Sequence, residues 1–185
     1  LEDGATDRSA FPLNAITQRP MAMYHSWDSQ NAWLRQIHSH NYLFVNPRTA
    51  RASGVDDGGW IWVESQWGKV RCMARYSEAV EPGTVWTWNA IGKGKGAWHL
   101  TPDADESRKG FLLNHLISDE LTFGEQRISN SDPVTGQAGW YDVRVRIRPA
   151  AADEPQITSP QIDAITPAPG TRVGMQRVLA YFAGR

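Results

Sequence analysis

Residues 42–70 read Tyr42-Leu43-Phe44-Val45-Asn46-Pro47-Arg48-Thr49-Ala50-Arg51-Ala52-Ser53-Gly54-Val55-Asp56-Asp57-Gly58-Gly59-Trp60-Ile61-Trp62-Val63-Glu64-Ser65-Gln66-Trp67-Gly68-Lys69-Val70. This stretch decides the fold. A short strand over 42–45 runs into Asn46 and Pro47, an N-cap residue followed by a proline at the first helical position. Ala50 and Ala52 suit a helix interior, and Gly54 is placed to stop it. Asp56-Asp57-Gly58-Gly59 is a turn. Strands over 60–65 and 69–77 follow, joined by Gln66-Trp67-Gly68.

The same punctuation continues on both sides. Upstream, residues 1–10 are polar and are expected to fray. A strand over 11–17 ends in Thr17-Gln18-Arg19-Pro20, and a polar and aromatic loop follows. Ser29 is placed to cap a helix over 30–38 with Trp33, Leu34 and Ile37 on one face. Downstream, Glu81-Pro82-Gly83 is a turn before a strand over 84–89. Residues 91–110, with Gly92, Gly94 and Gly96, read as a long loop, and 111–117 as a short helix. A second loop spans 129–139. The strand over 141–148 puts Val143, Val145 and Ile147 on one face and Arg144, Arg146 and Arg148 on the other. Residues 149–170 contain five Pro and read as an extended tail, with a terminal helix over 172–182. About six short strands with ordered turns predict a mainly β protein, a barrel with short helical insertions.

Composition narrows the function. The 185 residues carry 19 Lys plus Arg against 20 Asp plus Glu, a net charge of −1. Nucleic-acid binding needs a clustered positive excess, which this balance does not provide. One cysteine, Cys72, excludes an internal disulfide or a Cys-ligated iron–sulfur cluster. Apolar runs are too short for a direct membrane span. The opening Leu1-Glu2-Asp3 resembles no signal peptide, and the chain is expected to be a cleaved product or a piece of something longer. Nine Trp is far above the usual share; a Trp-rich core is expected to account for most of them.

No catalytic or metal-binding pattern is complete. His38 and His40 are two apart without a third ligand and read as a surface pair. Gly92-Lys93-Gly94-Lys95-Gly96 offers N–H groups and cations to a phosphate, but it does not join a strand directly to a helix, and a mobile loop or partner contact explains it better. Cys72 alternates with Arg71 and Met73 and is expected to be a buried, inert thiol. What remains is a set of amides, hydroxyls, an Arg and flat aromatics at strand ends: Thr17-Gln18-Arg19, Tyr24-His25-Ser26, Asn89, Asn114, Gln137 and Trp140-Tyr141. That mix suits a heterocycle carrying a phosphate. Ordinary turn residues are the competing reading.

Several segments carry a resemblance. Phe11-Pro12-Leu13, Thr17 and Arg19, and His25-Ser26 resemble the start of the molybdopterin-dinucleotide-binding domain at the C-terminus of the dimethyl-sulfoxide-reductase family of molybdenum enzymes. The series continues through Val45-Asn46-Pro47, Ala50, Gly54 and Asp57-Gly58, then Trp60, Trp62-Val63, Ser65 and Gly68-Lys69-Val70. Val80, Pro82-Gly83, Val85, Asn114, Leu116, Asp132-Pro133, Thr135-Gly136, Val143, Val145 and Ile147 complete it. The order covers roughly residues 11–149 and is more specific than any one motif.

The resemblance implies a six-stranded double-psi β-barrel over 11–149 and, as cofactor, molybdopterin guanine dinucleotide, with Mo or W held in the intact subunit. Matching positions make Thr17, Arg19, His25, Ser26, Trp88, Asn89, Asn114, Gln137, Trp140 and Tyr141 the cofactor-binding residues. It further implies, as partners, the remaining domains of the catalytic subunit, an iron–sulfur electron-transfer subunit, plus a membrane anchor subunit. The implied place is the bacterial cytoplasm or the cytoplasmic face of the inner membrane, with the periplasm as the alternative. Tyr24-His25-Ser26-Trp27 with Gln30-Asn31, and residues 110–116, look closest to polysulfide or thiosulfate reductase and sulfite dehydrogenase subunits. The tail 150–185 would be a partner strap or a wrap on its own subunit. The other reading is a non-enzymatic Trp-rich barrel binding a protein or glycan. It needs several aromatics on one exposed surface, whereas the cofactor reading needs them around one cleft with Arg19.

Overall fold

The computed structural model describes residues 6–29, 31–89, 91, 101, 104–132, 134–137, 143–156 and 160–161. The chain runs through strand β1 (Leu13–Gln18), helix α1 (Ala32–Ile37), β2 (Tyr42–Val45), helix α2 (Pro47–Ala52), β3 (Trp60–Glu64), β4 (Lys69–Tyr76) and β5 (Thr84–Trp88). A hairpin, β6 (Glu120–Phe123) and β7 (Gln126–Ser129), precedes β8 (Val143–Pro149) and β9 (Pro160–Gln161).

Strands β2, β5, β1, β8, β3 and β4 pair in that order, and β4 pairs back to β2. The result is the closed six-stranded barrel that the resemblance implies. The β1–β5 and β2–β4 pairs are parallel and the others antiparallel. Closure removes the open edges that would otherwise invite aggregation. Alternation fills the interior: Leu43, Val45, Ile61, Val63, Val85 and Val145 are almost completely buried. Each such side chain contributes about 1.5–3 kcal/mol by leaving water. Val143, at the start of β8, is only half-buried.

The deciding stretch folds as read. Asn46 accepts a hydrogen bond from Arg48 N at 2.9 Å and donates through Nδ2 to Val80 O at 2.7 Å. It therefore caps α2 and ties that helix to the turn before β5. Gly54 closes the helix with a φ of 68°, a conformation that favours glycine.

Other segments differ from expectation. Helix α1 is capped by Asn31, whose side chain accepts from Trp33 N and Leu34 N, and not by Ser29. Its six residues bury nothing: Trp33 is 79% exposed and Ile37 64%. Leu34, the third residue of that apolar face, is half-buried. The expected Trp-rich core shrinks to Trp62, the one buried Trp among those described; Trp27 and Trp33 are exposed. Interior positions of a barrel this narrow take β-branched residues, and the larger rings go to its outer wall. The 111–117 segment forms a single 3-10 turn, Leu113–Leu116, whose Leu113 and Leu116 plug the core. The β6–β7 hairpin was not foreseen, because four-residue strands are too short to show a clear period.

Residues 150–156 and 160–161 are more than an extended tail. Trp62 Nε1 donates to both carboxylate oxygens of Glu154 at 3.0 and 2.9 Å, and Arg71 donates to Pro155 O at 2.7 Å. Strand β9 pairs with Lys69 and Val70, along the part of β4 that the shorter β2 leaves uncovered. The helix expected over 172–182 lies outside the described residues.

Candidate functional site

The parallel β1–β5 pair sets Thr17 beside Thr87 and Gln18 beside Trp88. Asn89 N then donates to Gln18 O at 2.9 Å, so the two strands leave the barrel at one end, still joined. Thr17, Trp88 and Asn89 are thereby brought together from positions some seventy residues apart. The Asn89 Oδ1 atom is buried there without a hydrogen-bond partner. A buried unpaired acceptor costs about 1–3 kcal/mol. Most buried acceptors in folded proteins are paired, so this one is an exception at the strand ends.

Arg19 follows β1 directly and is exposed, its guanidinium 5.5 Å from the centre of the Tyr24 ring. Tyr24 meets His25 edge-on at 5.3 Å. His25 has a φ of 51°, the one non-glycine positive φ among the described residues. Such a conformation costs about 1 kcal/mol or more and tends to occur at functional sites. Ser26 lies in the same 3-10 turn, His25–Trp27. No sequence pattern marks this strain.

The outer wall beside Trp88 is aromatic. Phe44 and Trp86 stack at 4.2 Å, Trp86 meets Trp88 edge-on at 4.7 Å, and His38 lies 5.4 Å from Trp88. His40 stacks on Tyr42, and burial, then the charges of Lys109 and Arg35, push its pKa down. The histidine pair is thus half-buried packing rather than an open surface pair.

Asn114 is exposed on the Leu113–Leu116 turn. That segment reaches the same barrel end, because Asn41 Nδ2 donates to both Trp88 O and Phe111 O. Gln137 is exposed in a turn organised by Asp132, and its carbonyl accepts from Asp132 N at 2.7 Å. No described contact ties that turn to the barrel end. Trp140, Tyr141 and residues 92–96 lie outside the described residues. Cys72 is fully buried between β3 and β2, and burial raises its thiol pKa well above the ordinary range. Sequence reading missed Asn41, since nothing but its place before a strand separates it from any turn asparagine.

Among the described residues, no group of three His, Cys, Asp or Glu could hold a metal ion. The described site offers a cation at Arg19, amides at Asn89 and Asn114, a hydroxyl at Thr17 and a flat ring at Trp88. This donor set fits a heterocycle with a phosphate tail and does not by itself perform acid–base chemistry. Barrel and site together define a ligand-holding domain.

Comparison with known proteins makes the class specific. Residues 13–129 match the Molydopterin dinucleotide binding domain family, and the chain belongs to it. It is 65% identical, over its whole length, to a sulfite dehydrogenase subunit of Allochromatium vinosum, of which it covers 19%. It is 28% identical over 79% of its length to the putative dimethyl sulfoxide reductase catalytic subunit of Halobacterium salinarum, covering 15% of that protein. Acetylene hydratase from Pelobacter acetylenicus shares the fold, with a TM-score of 0.56 at 19% identity over 77% of this chain and 19% of that one. The chain thus spans about one fifth or less of these proteins. It falls in the dimethyl-sulfoxide-reductase family, and its cofactor is molybdopterin guanine dinucleotide. This overturns the glycan- or protein-binding alternative.

Proposed function

We propose that this barrel forms one wall of the dinucleotide site of a longer catalytic subunit, with Thr17, Arg19, His25, Ser26, Trp88, Asn89, Asn114, Gln137, Trp140 and Tyr141 as its contacts. The observation that carries the assignment is the buried, unpartnered Asn89 Oδ1 at the joined ends of β1 and β5. Asn89 accepts from a ring N–H or exocyclic amine of the ligand. Arg19 supplies positive charge to a pyrophosphate or donates to a pterin carbonyl. Trp88 packs its apolar ring near the ligand's flat system. When bound, the molybdenum–pterin group supplies a two-electron redox couple. The residues of this chain bind and orient it and keep water from one side.

Similarity to a sulfite dehydrogenase subunit supports sulfur-compound chemistry for the whole protein. In the oxidative direction, sulfite and water give sulfate, two protons and two electrons. The electrons require an acceptor, so the reading includes an iron–sulfur partner subunit plus a membrane anchor. The exposed Met21, Tyr24, Trp27, Trp33 and Ile37 are the face that the remaining domains cover. The location is the cytoplasm or the cytoplasmic membrane face, with the periplasm as the alternative. The test is the Arg19→Ala and Asn89→Ala variants of the full-length subunit. Each should lower molybdenum and pterin content per subunit several-fold, and unchanged content in both overturns the assignment. Turnover of polysulfide or thiosulfate without sulfite oxidation would replace the substrate but leave the binding role intact.

A further inference from the structure

Asn41 is 3% exposed and uses its whole side-chain amide. Oδ1 accepts from Thr87 Oγ1 at 2.8 Å and from Trp88 N at 3.2 Å. Nδ2 donates to Trp88 O at 2.6 Å and to Phe111 O at 3.1 Å. Its own backbone N donates to Lys109 O at 2.6 Å. The β2–β5 ladder pairs Val45 with Val85 and Phe44 with Trp86. Two residues beyond Trp86, both the N–H and the C=O of Trp88 are taken by a side chain. The Asn41 amide stands where a strand peptide would, and it extends the ladder after the backbones part.

We propose that Asn41 is the positioning residue of the dinucleotide site, holding the Trp88–Asn89 exit of β5 and the 109–116 segment in one arrangement. The inference rests on the dinucleotide reading. The physical reason is the two-sided grip. With both polar groups of the Trp88 residue held, its backbone cannot rotate, and the direction in which Asn89 leaves the strand is set. Through Phe111 O the same amide holds the start of the segment that carries Asn114. The two ligand-facing amides come from elements with no backbone ladder between them, so a side chain must register them. An aspartate could keep the acceptor contacts to Thr87 and Trp88 N. However, it would turn a carboxylate toward the carbonyls of Trp88 and Phe111, and both donations would be lost.

The test uses the full-length subunit, with Asn41→Ala, Asn41→Ser and Asn41→Asp beside Val63→Ala, a core truncation in β3 away from this network. Thermal midpoints are measured, and molybdenum and guanine nucleotide are counted per folded subunit. The expected result is at least a tenfold loss of both in Asn41→Ala and Asn41→Asp, with a smaller loss in Asn41→Ser. Val63→Ala should keep its cofactor at a comparable loss of midpoint. Equal occupancy in Asn41→Ala and Val63→Ala overturns the positioning role. So does full occupancy in Asn41→Asp, since the donations would then be dispensable. Failure of all three Asn41 variants to fold while Val63→Ala folds overturns it in favour of a purely structural role. A wild-type subunit without guanine nucleotide would instead refute the dinucleotide reading itself.

Discussion

At the residue scale, two asparagines at one barrel end separate stability from binding. Asn41 meets four polar groups, two of them fully buried, and removing it takes the donor from the Phe111 carbonyl, the acceptor from the Trp88 N–H and the shorter of two donors from the Trp88 carbonyl. Each buried group left unpaired costs about 1–3 kcal/mol, so Asn41→Ala should cost about 3 kcal/mol in urea unfolding. Asn89 presents an acceptor that is already unpaired. Asn89→Ala should therefore cost at most about 1 kcal/mol while impairing ligand retention. A larger loss in Asn89→Ala than in Asn41→Ala would contradict this ordering. Cys72 adds a pH dependence. Burial raises its pKa in the folded state, against a weaker opposing backbone hydrogen bond at Leu43. Above the ordinary thiol range near pH 8.5 the unfolded chain has shed a proton that the folded chain keeps. The unfolded state then binds fewer protons, so this contribution to stability is complete below that pH and is lost as pH rises. Cys72→Ala should flatten the alkaline slope of the unfolding midpoint, and the wild-type thiol should react with a thiol reagent only in denaturant.

At the element scale, residues 150–156 and β9 belong to the folded unit. Strand β4 is eight residues long and β2 covers only its second half, at Met73–Tyr76. Pro160–Gln161 covers the start of β4, a position where a proline's missing donor is tolerated only because β9 lies at the edge. The strap also serves Arg71, a cation 4% exposed whose Cζ lies 4.5 Å from the centre of the Trp62 ring. Ending the chain at 149 removes the Pro155 carbonyl and leaves that buried cation short of an acceptor. The unfolding midpoint should fall by about 5 °C, since one lost buried bond is worth about 1–3 kcal/mol and each kcal/mol about 2–4 °C at this size. Trp62 should also become accessible to a fluorescence quencher. A chain of 1–149 as stable as 1–161 would restore the shorter domain boundary.

At the scale of the whole molecule, core and ligand wall have separate requirements. The barrel closes on its own apolar interior, so the chain alone should unfold in one cooperative transition. Binding is different. One wall leaves most of a dinucleotide in water, and contacts set affinity only after ordering and desolvation costs are met. Calorimetry should find weak binding at best, and an assay with an artificial electron carrier should find no turnover. Nanomolar binding would show that one wall suffices. Trp27 and Trp33, 74% and 79% exposed, should be quenched readily in this chain and protected in the full-length subunit.

The chain order alone determined the barrel. Asn46-Pro47 with Gly54, the hairpin around Gln66-Trp67-Gly68 and the alternation of Val143, Val145 and Ile147 are local features. Capping, turn chemistry and a period of two are all readable within a few residues. Arg19 and Asn89 were legible as ligand-type side chains at strand ends, through the ordered resemblance. Asn41 was not. Its importance comes from meeting Trp88 and Phe111, residues 47 and 70 positions away, and no local pattern encodes a hydrogen bond across that distance. The same holds for Glu154 on Trp62 and for the left-handed backbone of His25. These were decided only when barrel closure brought distant peptides within about 3 Å of one another, where hydrogen bonding begins.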